Sequence, residues 1–247
     1  MEHIYGRHAV RECLRAGRRK IHRVQIGRGV KDTAMIQEMN QLAQQRKVPV
    51  NIVSPDQLAL ISDHTHGVAL IVEDYPYVEI EEILAVAVEK EQPPFILILD
   101  TLQDPQNLGA LIRAAEAAGV HGVIITDRRS AGITPAVVHA SSGATEHLQV
   151  AAVGNLVNTI KWLKQKDVWV GAMQEDARAQ NIYSANLRGA LALVVGNEGD
   201  GVRRLVRDSC DFLLRLPMYG KVESLNAATA GSIAIYEALR QRTLNRP

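Results

Sequence analysis

Apolar and polar positions change period repeatedly along this 247-residue chain. In "RHAVRECLRAG" the apolar residues recur at helical spacing and Gly17 supplies a stop, which predicts a first helix. "KIHRVQIG" alternates as a half-buried strand does. "KDTAMIQEMNQLAQQRK" returns to helical spacing, and "VPVNIV" is a second strand. "SPDQLALIS" opens a short helix with a serine cap and a proline, and "GVALIVE" is a buried strand. These elements make residues 1–73 a small α/β unit. The pattern then breaks. "DYPYVEIEEILAVAVEKEQPP" is acidic and bounded by Pro76 and the Pro93–Pro94 pair, so residues 74–94 read as a linker with one short helix.

From Phe95 onward, apolar runs alternate with helical segments. "FILILD", "GVIITD", "HLQVAAV", "VWVGAM", "ALALVV" and "DFLLRLP" are predicted strands. Between them lie "NLGALIRAAEAAG", with Leu108, Leu111 and Ile112 on one side and Gly119 at its end, then "TPAVVHASSG" and "NLVNTIKWLKQK". "SLNAATAGSIAIYEALRQR" is a long terminal helix, with Ser224 placed as its cap. Near-continuous apolar strands separated by helices argue for a parallel sheet covered on both faces, so residues 95–247 form a larger α/β domain.

Composition adds limits. A chain with 47% hydrophobic and 22% charged residues is an ordinary globular one. No run approaches the ~18 apolar residues of a membrane span, and the N-terminal stretch has no apolar signal core, so no membrane association is expected. The two cysteines, Cys13 and Cys210, lie far apart, which fits a reduced, cytoplasmic setting. His64 and His66 alone fall short of the three or four ligands a metal site needs, so no metal is expected. Net charge is +1, yet residues 1–31 hold nine Lys/Arg against two acids, and residues 73–92 hold seven acids against one lysine. Charge alone leaves two readings of the basic stretch open, a polyanion-facing surface and a solvated helix face.

Three loops follow predicted strands, and ligands of open α/β sheets bind beyond strand C-termini. The first, "DTLQDPQNLGALIR", carries Asp104, Pro105, Asn107 and, inside the helix, Arg113. The second, "VVGNEGDGV", spaces Gly196, Gly199 and Gly201 as G-x-x-G-x-G, which is neither the dinucleotide fingerprint nor a P-loop. The third, "RLPMYGKVESLNAATAG", surrounds Ser224 and Asn226 with small residues that permit close approach of a ligand. Each loop taken singly is equally a capped helix or a tight turn. No GxSxG nucleophile pattern is present, which argues against a hydrolase.

Taken in order, "DPQNLGALIRAAEAAG", "VVGNEGDGV" and "CDFLLRLPMYGKVESLNAATAGSIAIYE" resemble the three motifs of the SpoU branch of the SPOUT RNA methyltransferases. The N-terminal "IYGRHAVRECLRAGRRKIHRVQI" is similar to the substrate-binding domain of the 23S rRNA guanosine-2′-O-methyltransferases in that branch, so the resemblance spans nearly the whole chain. It implies a catalytic domain with a trefoil knot, an L30e-like N-terminal domain that binds RNA, and a homodimer. It implies S-adenosyl-L-methionine as methyl donor and a ribose 2′-hydroxyl as acceptor, in a guanosine of 23S rRNA. A tRNA methyltransferase and a non-catalytic RNA-binding protein on the same scaffold are the alternatives. Carried over position by position, the catalytic set is Arg113, Asn107, Glu198, Ser224 and Asn226. The adenosine-binding set is Gly196, Leu216, Met218, Gly220 and Leu225. "SLNAATA" has alanines where many members have valine and serine, but Ser224 and Asn226 stay in place.

Methyl transfer needs donor and attacking oxygen in line, and something must take or stabilise the hydroxyl's departing charge. A guanidinium stays protonated, so Arg113 suits alkoxide stabilisation or a bidentate phosphate clamp better than proton abstraction by itself. The proton acceptor is left open.

Overall fold

The computed structural model describes residues 1–197, 199–222 and 224–244. The chain divides into two compact units, Met1–Pro76 with Ile133–His147, and Tyr77–Gly132 with Leu148–Pro247.

The first unit contains β1 (Glu2–Tyr5), α1 (Arg7–Ala16), β2 (Ile21–Gly27), α2 (Ala34–Gln45), β3 (Val50–Val53), α3 (Pro55–Ala59) and β4 (Val68–Val72). Its sheet runs β1-β4-β2-β3, antiparallel except for the β2–β3 pair. α1 buries Ala9, Val10, Cys13 and Leu14 at helical spacing, and Gly17 at φ +62° ends it in the left-handed conformation, as its sequence predicts. α3 begins on a full capping box between Ser54 and Gln57 with Pro55 behind it. β1 escapes the hydropathy pattern because only Ile4 of its four residues is buried.

The second unit begins with α4 (Ile80–Glu89). Residues 74–94 are therefore not a free linker. Ile83 and Ala87 are fully buried, and Ile83 fills the space left by the missing side chain of Gly122, where a Cβ would lie 2.6 Å from it. The remaining elements are β5 (Phe95–Leu99), α5 (Pro105–Ala117), β6 (Gly122–Thr126), α6 (Pro135–Ala140, within the first unit), β7 (Gln149–Val153), α7 (Leu156–Lys164), β8 (Trp169–Met173), β9 (Gln180–Asn181), β10 (Leu191–Val195), α8 (Arg204–Arg207), β11 (Phe212–Arg215) and α9 (Ala227–Thr243). Their sheet has the order β7-β6-β5-β10-β8-β11-β9, and every pairing is parallel. Ile96, Ile98, Ile124, Val170 and Val194 pack with Ile83 of α4 and with Ile160 and Leu163 of α7. α9 packs on α5 and β10 through Gly231, where a Cβ would come within 2.5 Å of Leu111 and 3.1 Å of Val195. The fold class is thus α/β, with a large parallel-sheet domain and a smaller α/β unit.

The inclusion of Ile133–His147 in the first unit was not foreseen in the hydropathy pattern, which runs on through "TPAVVHASSG" as one more helix of the larger domain. Its anchor is electrostatic. The Arg19 side chain is fully buried, 3.0 Å from Glu146, which is also fully buried, and 2.7 Å from Glu2. The guanidinium lies 4.8 Å from the centre of the Tyr75 ring, and Tyr75 Oη donates to the Thr145 carbonyl at 2.8 Å. Burial pushes the Tyr75 hydroxyl up to about 12, so it remains a donor. Glu146 Oε2 finds no hydrogen-bond donor among the described residues, so the pair is incompletely satisfied. Removing one partner of such a pair strands a buried charge, at a cost of ~3–5 kcal/mol. Arg19→Met is expected to lower unfolding stability by about that amount. Arg19→Met combined with Glu146→Gln is expected to lose less than the single variant. Urea denaturation of the full chain measures both, and an additive double variant would deny the coupling.

At least four of the nine N-terminal basic residues pair with acids of the same chain, most of them nearer the surface. Besides Arg19, Arg11 and Arg15 pair with Glu12, and Lys20 with Glu73. Among the described residues no ion pair involves Arg7, Arg23, Arg28 or Lys31. The charge asymmetry is therefore partly structural.

Candidate active site

β5, β10, β8 and β11 are consecutive neighbours in the large sheet, and their ends are in register: Leu99 opposes Val195, and Leu214 opposes Met173. The segments that leave these strands therefore start side by side. All run in one direction, so their C-terminal ends make one edge.

The segment after β10 is held in shape by its neighbours. Gly196 is packed so tightly that a Cβ would lie 2.1 Å from the backbone of Gly201. Gly201 itself has φ +65°. Asn197 folds the turn by accepting from the backbone N–H groups of Gly199 and Asp200, and its Nδ2 donates to Thr101 Oγ1 at 3.3 Å. Gln174, just past β8, accepts from Val202 N. Asp100, just past β5 and fully buried, accepts from Arg203 twice, through Oδ2 from its backbone N at 2.9 Å and through Oδ1 from its Nε at 2.7 Å, and Arg203 Nη2 lies 2.7 Å from the same Oδ1 in an ion pair. A buried carboxylate with a guanidinium on one oxygen and a backbone N–H on the other is a stiff joint, so the glycine loop is fixed from strand ends on either side of β10.

The first and third loops meet directly. Asp104 caps α5, accepting from Gln106 N and Asn107 N, with Pro105 in the first turn. Asn107 is thus part of α5. Asn226, not Ser224, caps α9: its Oδ1 accepts from Ala228 N and Thr229 N. That leaves Nδ2, which donates to Asn107 Oδ1 at 3.0 Å across 119 residues of sequence. Asn226 is therefore a capping residue and also the link between two motifs. The sequence favours Ser224 only because serine precedes the apolar run; the helix starts two residues later.

These segments enclose a cleft of about 240 Å³, lined by Gly196, Leu216, Met218, Ser224 and Leu225 among others. Of the adenosine-binding candidates, Gly220 is exposed and does not line it. Asn226 sits between two lining residues, Leu225 and Ala227. Arg113 is exposed on α5 and does not line the cleft either. Glu198 lies outside the described residues. Met173, Gln174 and Glu175 also line it. The sequence reading passed over this fourth loop, although its signal, polar residues immediately after the apolar run "VWVGAM", was present.

The lining suits an adenosine-bearing cofactor. Among the described residues no hydrogen bond ties the backbone of residues 217–222 to another segment, so its donors and acceptors are available to a ligand. Leu216, Met218 and Leu225 supply apolar contact for a base, and Gly196 keeps side-chain bulk out. Neither thiol is a rival nucleophile, because burial raises Cys13 well above the ordinary range and pushes Cys210 up to about 12. Among the described residues no group of three or more His, Cys, Asp or Glu could hold a metal ion. No helix there is long and apolar enough to cross a membrane.

Comparison with known proteins agrees with this geometry. A family model described as the SpoU rRNA Methylase family matches residues 94–236, and one for RNA 2′-O ribose methyltransferase substrate binding matches residues 3–78. YacO of Bacillus subtilis (strain 168), named for the TrmH family of tRNA/rRNA methyltransferases, is 39% identical over 98% of this chain and 96% of its own. The SpoU methyltransferase AviRb of Streptomyces viridochromogenes, solved in complex with AdoMet, superposes with a TM-score of 0.81 at 23% identity, covering 98% of this chain and 91% of that one. A crystal structure of an RNA 2′-O ribose methyltransferase gives a TM-score of 0.76 at 26% identity, covering 97% and 88%.

Proposed function

We infer the reaction from the family to which this chain belongs, the SpoU rRNA methylases: it is an S-adenosylmethionine-dependent RNA methyltransferase, and we propose that it methylates the 2′-hydroxyl of a guanosine in 23S rRNA. The observation that carries this reading is the Asn226–Asn107 hydrogen bond, which joins two motifs beside the cleft. S-adenosylmethionine supplies an electrophilic methyl group on a sulfonium centre. In our reading the backbone around Gly196, Leu216, Met218, Gly220 and Leu225 holds the adenosine. Ser224 and Asn226 form the wall nearest the ribose, and Asn107 and Glu198 orient Arg113 or the RNA. Arg113 meets the developing alkoxide or the adjacent phosphate.

The N-terminal unit, read as L30e-like over residues 1–73, takes the RNA, in keeping with the substrate-binding model matched there. Arg7, Arg23, Arg28 and Lys31 are its candidate phosphate contacts. The trefoil knot and the homodimer belong to the same reading. A dimer also gives Arg113, which does not line the cleft of its own chain, a route to the partner's site. Sedimentation at twice the 27.1 kDa chain mass is the expected result, and a stable, active monomer would remove the dimer. An experimental chain trace decides the knot.

Transfer of labelled methyl from S-adenosylmethionine to total rRNA and total tRNA, followed by mapping of 2′-O-methylated positions, tests the substrate. Label confined to one guanosine of 23S rRNA is expected. Label in tRNA alone would make it a tRNA enzyme. No label in either would leave an RNA-binding protein on this scaffold.

A further inference from the structure

A cavity of the first unit shares no lining residue with the methyl-transfer cleft and plays no part in that chemistry. It has a volume of about 930 Å³ and lies between the start of α1, the start of α2, the turn before β4, and α6. Its polar lining consists of Arg7, His8, Thr33, His66, His139 and Ser142, and no carboxylate lines it. In a chain with nearly as many acids as bases, this cavity offers one fixed cation, Arg7, with no acid in its lining to oppose an anion.

Its second feature is a group of rings. His139 stacks on Tyr5 at 5.1 Å between centroids and 30° between planes. It also stacks on His64 at 5.8 Å and on His66 at 6.4 Å, with interplanar angles of 23° and 22°. His64 and His66 are themselves exposed, so this near-parallel set ends at solvent. Arg7 is tied into it: Nε donates to the His66 carbonyl at 3.0 Å, which directs the guanidinium toward the same wall and leaves its two terminal nitrogens for another acceptor. Gly6 is needed there, because a Cβ would lie 2.6 Å from His139 Nδ1.

Parallel rings beside an arginine, in an acid-free cavity of small-molecule size, match one ligand chemistry: a flat heterocycle attached to a phosphate. We propose that this cavity binds one unpaired nucleotide of the RNA substrate, with the base stacked on the His66–His139 rings and its phosphate on Arg7. The inference rests on the reading of the chain as an RNA methyltransferase and adds a specific contact to it. A paired base cannot enter, since a duplex presents its backbone and keeps its bases stacked inside. The site therefore selects a loop or bulge and sets which ribose reaches the catalytic unit.

Binding of a fluorescent single-stranded RNA decamer and of a ten-base-pair RNA duplex to the full chain, across a salt series, tests the proposal. The variants are Arg7→Gln and His66→Asn; asparagine tolerates the φ of +47° at residue 66 while removing the ring. His66→Asn is expected to weaken the single strand at least tenfold, with an unchanged salt slope and little change for the duplex. Arg7→Gln is expected to weaken it and to reduce the slope of log affinity against log salt by about one. S-adenosylhomocysteine affinity, measured alongside, should not move in either variant, which separates a lost contact from a misfolded chain. Equal single-strand binding by wild type and His66→Asn would overturn the proposal while leaving methyl transfer to rRNA intact. Equal losses for duplex and single strand would reduce the cavity to a backbone contact and overturn it too. Inorganic phosphate or adenosine monophosphate that binds the cavity without competing with RNA would show a small-molecule site instead.

Discussion

Arg113→Ala is expected to lower the rate of methyl transfer to RNA by about 10²–10⁴, the range for losing a group that handles the proton or charge of the reacting hydroxyl. Its affinity for S-adenosylhomocysteine should stay within about twofold of wild type, because Arg113 stands on α5 and does not line the cleft. The split between these two readouts is what distinguishes a reacting-group role from support of the fold. Arg113→Lys keeps the charge but not the planar fork. It should recover little if the guanidinium clamps a phosphate in bidentate fashion, and much more if only a positive charge is needed. Single-turnover methyl transfer at saturating RNA, with calorimetry for the cofactor product, measures both. Wild-type turnover in Arg113→Ala would remove this residue from the catalytic set.

Gly196→Ala should act on the opposite side of that split. The added methyl would lie 2.1 Å from the Gly201 carbonyl carbon and oxygen and 2.3 Å from Val202 N. All three are backbone atoms, so no rotamer change can relieve the clash. The loop would have to leave the positions fixed by Asp100, Thr101 and Gln174. Overpacking at a rigid site costs ~1–3 kcal/mol, which predicts S-adenosylhomocysteine binding about 5- to 150-fold weaker. Gly199→Ala is the matched control. Its nearest neighbour would be Asn197 Oδ1 at 3.7 Å, an ordinary contact, so binding should be close to wild type. Equal affinity of Gly196→Ala and wild type would mean that the loop does not shape the cofactor site.

Much of the architecture is legible in the chain because it is local. "FILIL", "GVIIT" and "LALVV" are buried throughout, and unbroken apolar runs between helices can only be the strands of a covered parallel sheet. Gly17 ends α1, and Ser54 with Pro55 starts α3, through backbone preferences that belong to single residues. The three motif loops could be listed in advance for the same reason, since each directly follows a strand.

Other features needed the tertiary structure. Whether Ser224 or Asn226 caps α9 depends on where the helix axis begins, and that is set by packing of Gly231 on Leu111 and Val195. The acidic stretch 74–94 reads as a linker until Ile83 is seen to fill the gap beside Gly122. The link from Asn226 to Asn107 spans 119 residues, and the Arg19–Glu146 pair joins positions from opposite sides of the large domain's first two strands. The sequence by itself determined most of the strands and helices, though not β1, β9, α8 or the first residue of α9, because periodicity and backbone preference act over a few neighbours. Only the tertiary structure decided which loops share a cleft, because adjacency follows from the strand order β5-β10-β8-β11, and pairing between distant strands leaves no local mark on the chain.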